Sequence, residues 1–576
     1  MNASTTAGAN TTGAHLFAGA LKRHGVEVVF GQSIPSAFFL AAPDYGIRQI
    51  GYRTENAGAA MADAYARVSN KVPVVTGQNG PAATLLVAGL AEAYKASIPV
   101  VALVQDVHRK MTDRNAFQEL DHLDLFKGVA KWIRRVSEAE RIEDYVDMAF
   151  TAAASGRPGP AVLIAPIDLF DEVVGRSEHE RQTNLGHFPL DRSGPDPDAI
   201  ERAAELLATA ERPLIVAGGG VHVSAACEAL AKLQESASLP VATTAMGKGT
   251  VGEAHPLSLG PVGYFMGTRG RGKFLRSMVE EADVVLLVGN RTNQNGTDSW
   301  QLYPRGARYI QIDIDPQEIG RTYEVDVRIV ADARLALEAL SERMAKSDLS
   351  KRERERKTVE ARIADGLRQH REEVARVVDM DKAPVRPERL MRDLNGLLRP
   401  DDIVVADASY SSIWVANFLD AQRGGQRFIT PRGLAGLGWG LPFAIGAKVA
   451  RPEARVVGLV GDGGFAHVWS ELETARRMGV AVTIIVLNNQ ILGYQKHAEK
   501  VIWGDHSDVV NFTSVDHAAI ARACGVEGVR VETSDQFLPA LKTALASGSS
   551  TVIDVVTDER AYPPVTIFEN AERLNY

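Results

Sequence analysis

Only two cysteines occur in the 576 residues, Cys227 and Cys524, far apart and without CxxC or metal-ligand spacing. That scarcity excludes a disulfide-stapled scaffold and a cysteine-ligated zinc module, and makes a reducing, cytoplasmic setting the expectation. No run approaches the ~18 apolar residues of a membrane helix, so no membrane partner is expected. The opening stretch, Met1 to Thr12, is polar and lacks the basic and apolar regions of a secretory signal; it reads as a frayed tail. Clustered positive charge is missing too. The formal net charge is −8, and the basic residues of Lys351 to Lys357 are interleaved with acids, which argues against a nucleic-acid partner.

What remains is ordinary globular composition, 45 % hydrophobic and 24 % charged, in a length that suits about three domains. Helical and strand-like runs alternate from Gly13: Ala14 to His24, Val26 to Phe30, Ala57 to Val68, Val72 to Thr76, Ala82 to Tyr94, Val100 to Val104. The alternation resumes at Pro213, Pro240, Ala282 and Arg308, and again from Ile403. It predicts an α/β protein of three doubly wound parallel-sheet domains, with ligands at the carboxyl ends of strands. The expected divisions are 13–178, 195–342 and 385–576, with a polar linker from Ser177 to Pro197 and a solvated, charge-alternating helix over 343–384.

One stretch carries chemistry. Gly461-Asp462-Gly463-Gly464-Phe465 lies between two strand-like runs, Ala454 to Val460 and Val480 to Leu487, and Asn488-Asn489 closes the second. The glycines let the backbone approach an anion, and a helix beginning after Phe465 would direct unpaired N–H groups at it. Asp462 and Asn489 would then meet at one rim as hard oxygen ligands, which with a diphosphate reads as Mg²⁺. The bland alternative is a glycine-rich turn in an ordinary doubly wound sheet.

Triplet, spacing and Asn pair together resemble the binding motif for thiamine diphosphate (ThDP). The resemblance implies a metal held by Asp462, Asn489 and the main-chain carbonyl of Ile491, with Gly461, Gly463, Gly464 and Gly493 close to the cofactor. It implies that Ser409, Tyr410 and Ser411 bind the far end of the diphosphate, that Leu437 wedges between the two rings, and that the carbonyl of Ala435 accepts from the aminopyrimidine. Tyr52 to Arg67 resembles the segment in which a glutamate, here Glu55, hydrogen-bonds that pyrimidine. A carboxyl group there makes the cofactor's own imino group available as the base that activates C2. Enclosure by Ala, Gly and Met would disfavour the ionised Glu55, which suits proton exchange near neutrality. Read alone, Glu55 is a carboxylate complementing a helix dipole.

The likeness spans roughly Gly13 to Pro564 and points to the acetolactate synthase, pyruvate oxidase and benzaldehyde lyase group of ThDP enzymes. It implies a pyrimidine-binding first domain, a diphosphate-binding third domain, and a homodimer or homotetramer with sites between subunits. The implied chemistry is attack of activated C2 on a carbonyl and cleavage of the adjacent C–C bond, with a 2-keto acid or acyl-CoA as substrate and an acetolactate synthase-like activity as first choice. Gln32, Gln78, Phe117, Gln118, Tyr494 and Gln495 are the substrate-contact candidates. The turn Gln78 to Pro81 is closer to sulfoacetaldehyde acetyltransferases, and a 2-hydroxyacyl-CoA lyase, an oxalyl-CoA decarboxylase-like enzyme or an inactive regulatory homologue are the other readings. In the middle domain, Gly218 to Gly220 resembles a nucleotide loop, which the family uses for FAD or for an adenine nucleotide or CoA. Arg269, Arg271 and Lys273 read as phosphate contacts or as a solvated basic loop.

Overall fold

The computed structural model describes residues 10–175 and 180–569. The expected end of the first domain at 178 and the start of the linker lie outside these residues, as do most of the N-terminal tail and the last residues, 570–576.

Three six-stranded sheets, each wholly parallel, carry the chain. The first contains β1 (Val28–Phe30), β2 (Arg48–Ile50), β3 (Val74–Gly77), β4 (Val101–Asp106), β5 (Trp132–Arg135) and β6 (Ala161–Pro166), in the order β2-β1-β3-β4-β6-β5. The second contains β7 (Pro213–Ala217), β8 (Val241–Thr243), β9 (Ser258–Pro261), β10 (Val284–Val288), β11 (Arg308–Asp313) and β12 (Val327–Val330), in the order β9-β8-β7-β10-β11-β12. The third contains β13 (Ile403–Ala406), β14 (Phe428–Ile429), β15 (Val456–Gly461), β16 (Thr483–Asn488), β17 (Glu527–Val531) and β18 (Thr551–Val556), in the order β14-β13-β15-β16-β18-β17. The first and third sheets therefore share one winding. Central strands such as β4, β10 and β16 are buried along their whole length, as strands covered by helices on both faces must be.

Seven helices matter below: α1 (Glu55–Ser69), α2 (Pro81–Ala96), α3 (Ser350–Val378), α4 (Tyr410–Phe418), α5 (Gly440–Ala450), α6 (Asp462–Ala466) and α7 (Gly493–Trp503). α1 lies against α5 so closely that a Cβ at Gly446 would come within 2.0 Å of the Met61 carbonyl oxygen. The Ala/Gly-rich sequence of α1 permits this approach, and one buried apolar cluster runs from the first sheet layer into the third. The middle sheet has clusters of its own.

The charged helix α3 is not solvated all round. Ile363, Gly366, His370 and Val374 are buried along one side, and Lys273 pairs with Glu373 at 2.6 Å. The basic loop it covers is not free to meet a phosphate. Arg271 is ion-paired with Asp420 and lies 3.6 Å from Glu253, while Arg269 meets Glu388 at 3.4 Å and stacks over Tyr562. These cations hold the middle domain to the third.

Candidate cofactor site

β13 has β14 on one side and β15 on the other, so the chain reverses direction across the sheet between β13 and β15. A crevice opens at such a switch point, outside the carboxyl ends of the strands. Three loops enter it. Asp407 to Ser409 follow β13 into α4, Gly461 leads from β15 directly into α6, and Asn489 to Leu492 connect β16 to α7.

The last two differ from the sequence reading in one respect. The helix expected after Phe465 begins instead at Asp462, so the carboxylate is itself the first helical residue. Its Oδ1 accepts the Gly463 N–H at 2.9 Å and its Oδ2 the Gln490 N–H at 2.6 Å, which ties the β15 turn to the β16 turn.

The residues expected at the cofactor come together. Ser409, Tyr410, Ser411, Ala435, Leu437, Gly461, Asp462, Gly463, Gly464, Asn489, Ile491 and Gly493 line one cavity of about 470 Å³, joined by Tyr494 and Gln495. Strained backbone occurs there: Ser409, Ala435 and Gln490 have φ of +63°, +60° and +60°. For residues with side chains this conformation persists only where the surroundings impose it. Asp407, buried at the end of β13, does part of that work by accepting from Ala408 at 2.8 Å, Gly438 at 3.1 Å and Trp439 at 3.2 Å.

The candidates in the first domain do not line this cavity. Glu55 opens α1, nearly buried, and burial raises its pKa above the usual glutamate range. Gln32 donates to the Arg53 carbonyl beside a separate opening. Gln78 donates to Gln118 at 2.9 Å, and Phe117 next to it is 84 % exposed.

Residues 11–125, 200–340 and 407–555 match, in turn, the N-terminal TPP binding domain, the central domain and the C-terminal TPP binding domain of thiamine pyrophosphate enzymes. The chain belongs to the thiamine pyrophosphate enzyme family. Among the relatives of this thiamine pyrophosphate enzyme are a "Probable acetolactate synthase large subunit" of Methanocaldococcus jannaschii, 34 % identical over 95 % of this chain and 92 % of the relative, and an acetolactate synthase of Arthrospira platensis, 33 % identical over 96 % of each. A sulfoacetaldehyde acetyltransferase of Rhodobacter capsulatus is 30 % identical over 95 % of this chain and 94 % of the relative. The protein is thus a ThDP-dependent enzyme of lyase or transferase type. Among the described residues no helix is long and apolar enough to cross a membrane.

The donors present suit a diphosphate with a hard cation. Asp462, Asn489 and the Ile491 carbonyl offer oxygen alone. Among the described residues no ion pair is made by Asp462, and burial raises its pKa to about 6. A Cβ at Gly461 would meet nothing within 4 Å, and one at Gly464 would come within 2.4 Å of Asp407. Backbone is thereby bared at the one position and tightly packed at the other. Among the described residues no group of three His, Cys, Asp or Glu has metal-ligand geometry; a mixed carboxylate, amide and carbonyl set carries no such signature.

Two further carboxylates shape the site, and sequence reasoning missed both. Glu92 of α2, fully buried, accepts the backbone N–H groups of Gly433, Leu434 and Ala435. Glu471 of the third domain, equally buried, accepts those of Arg53 and Thr54 just ahead of Glu55, at 3.0–3.2 Å. Each domain thus caps the functional turn of the other. A single buried Glu in a helical run leaves no motif, so no local signal announces this exchange.

Proposed function

We propose that this enzyme uses ThDP and Mg²⁺ to cleave and form C–C bonds of 2-keto acids, in the manner of an acetolactate synthase. The observation that carries the proposal is the single cavity in which Asp462, Asn489 and Ile491 face Ser409, Ala435 and Leu437. When bound, the cofactor supplies a carbanion and stabilises the negative charge left by C–C cleavage. The protein's part is to bind and orient it. The oxygen donors of Asp462, Asn489 and Ile491 would hold Mg²⁺, and the first-turn N–H groups of α6 favour the diphosphate. Leu437 would fix the angle between the rings, and Glu55 would hold a proton at the pyrimidine nitrogen. Its raised pKa supports that role. Because Glu55 does not line the cavity of its own chain, we place it at the site of a second copy, in a homodimer or homotetramer. The domain divisions at 13–178, 195–342 and 385–576 belong to the same reading, as does a cytoplasmic setting.

The test is to reconstitute the protein with ThDP and Mg²⁺, supply pyruvate, and measure carbon dioxide and acetolactate. Appearance of both supports the reading; release of neither from fully loaded protein would defeat it.

A second reading, an acyl-transfer enzyme, is supported by the sulfoacetaldehyde acetyltransferase relative and by the Gln78 to Pro81 turn. It assigns the middle-domain cavity, lined by Gly218 to Gly220, Arg157, Arg291 and Asp313, to an adenine nucleotide or CoA rather than FAD. Visible flavin absorption by the purified protein decides between them.

A further inference from the structure

Arg432 stands where two cavities meet. It lines both the cofactor cavity and the middle-domain cavity, as does Asn295. Of the described residues around the cofactor cavity it is the only Lys, Arg or His. Its guanidinium donates to the Tyr264 hydroxyl at 2.9 Å and to the Ser412 hydroxyl, and lies 5.8 Å and 5.7 Å from the ring centres of Tyr264 and Phe265. Among the described residues no carboxylate comes within ion-pair distance of it, and its Nε is buried without a hydrogen-bond partner.

Arg291, in the wall of the adjoining cavity, also makes no ion pair among the described residues and donates to the Lys95 carbonyl, but it does not line the cofactor cavity; two other arginines nearby are paired. Arg67 is bonded to Asp63 and lies 3.7 Å from Glu92, and Arg157 meets Glu318 at 2.9 Å and Asp315 at 3.3 Å. A half-buried guanidinium supported by hydroxyls alone keeps an uncompensated positive charge. An oxyanion, carboxylate or sulfonate, compensates such a charge through charge-assisted hydrogen bonds.

We propose that Arg432 is a substrate-specificity residue that binds the anionic group, carboxylate or sulfonate, of the molecule processed at this site. This rests on the cavity being the ThDP site. The substrate side is favoured over a nucleotide phosphate in the adjoining cavity because Tyr264, the partner of Arg432 at 2.9 Å, lines the cofactor cavity and not the adjoining one, while Ser412 is buried on α4 and lines neither. An enzyme built this way prefers keto acids and sulfonated aldehydes over neutral aldehydes.

The experiment uses the full chain loaded with Mg²⁺ and ThDP, as wild type, Arg432→Met and Arg432→Lys. Titration calorimetry measures the Kd of acetylphosphonate, an anionic mimic of pyruvate, alongside those of ThDP and ADP, and acetoin formation from acetaldehyde serves as the neutral control. The proposal expects acetylphosphonate affinity to fall at least tenfold in the Met variant and to recover partly with Lys, while ThDP affinity and the acetaldehyde reaction stay within twofold. Unchanged acetylphosphonate affinity in the Met variant would overturn it. So would selective loss of ADP affinity, which would assign the charge to the adjoining cavity, or an equal loss of ThDP affinity in both variants, which would make Arg432 a latch. Should Arg432→Met fail to fold, the Lys variant must still weaken the mimic without weakening ThDP. A wild-type protein that binds no ThDP refutes the cofactor reading itself, and is seen separately in the first titration.

Discussion

The carboxylate of Glu92 accepts the backbone N–H of Leu434 at 2.6 Å, although the two lie in different domains and 342 residues apart in sequence. Arg67, 3.7 Å away, also donates to the Thr430 carbonyl at 3.1 Å and is bonded to Asp63. The turn that presents Ala435 and Leu437 is therefore held by a charged cluster on α1 and α2. The helix carrying Glu55 is thus tied, through Arg67 and its neighbour Glu92, to the turn expected to hold the pyrimidine.

Removing that cap has a calculable cost. Glu92→Ala would leave three part-buried amides without their acceptor and Arg67 paired with Asp63 alone, a loss of ~1–3 kcal/mol by analogy with unsatisfied buried donors. Glu92→Gln keeps one acceptor and should cost less. Urea unfolding with a parallel ThDP titration checks this: both variants should lose stability and cofactor affinity, Ala more than Gln. Unchanged affinity in Glu92→Ala would detach the turn from the cofactor.

Glu55 and Asp462 are expected to act in different copies of the chain. Glu55→Gln should keep its fold and ThDP binding but lose ~10²–10⁴ of its turnover, and Asp462→Ala should be inactive for want of cofactor. Co-refolding the two at equal amounts should restore roughly a quarter of wild-type activity, because random pairing makes half the dimers mixed and each mixed dimer has one intact site of two. A mixture as inactive as its parents would place both residues in one chain's site.

Acid stability offers a check on the docking of α3. His370 is buried, donates its Nε2–H to the Arg269 carbonyl at 3.1 Å, and is pulled down to about 4 by burial and by the positive charge of Arg271. The unfolded chain takes up its proton near pH ~6.5, the folded one only near 4, so the neutral ring's stabilisation is whole above ~6.5 and is lost by ~1.4 kcal/mol per pH unit as pH falls. His370→Gln removes this titration while keeping a side-chain donor for Arg269. Its apparent stability should fall less steeply than that of wild type from pH 6.5 to 4. The buried Asp63 and Asp313, raised to about 6, act in the opposite sense in both proteins and cancel in the comparison. Parallel pH profiles would show that His370 is protonated in the fold.

Much of this architecture is legible from pattern. Runs such as Ala282 to Gly289 and Val480 to Leu487 are continuous and apolar because helices cover both faces of their strands, and they announce central strands. The outermost strands escape notice. Arg48–Ile50 and Glu527–Val531 mix exposed and buried residues, and Trp132–Arg135 has none fully buried, since an edge strand has one hydrogen-bonding side and part of its surface in water. Phe428–Ile429 is too short to register.

The site divides in the same way. The turn at Asp462 and the Asn pair are contiguous in sequence, so their grouping can be read from spacing. Glu92, Glu471, Asp407 and Arg432 act across hundreds of residues, and each is a single letter in an unremarked run. Their roles come from packing, which no local pattern encodes. The loop Arg269 to Lys273 shows the converse: its charges suggested a phosphate contact, but the acids that occupy them, Glu388, Asp420 and Glu373, lie far along the chain.

The most direct measurement is the ThDP content of protein saturated with ThDP and Mg²⁺ and then passed through gel filtration. One ThDP per chain should remain on wild type and none on Asp462→Ala. Wild-type protein emerging without ThDP, or a variant that retains as much as wild type, would contradict the account.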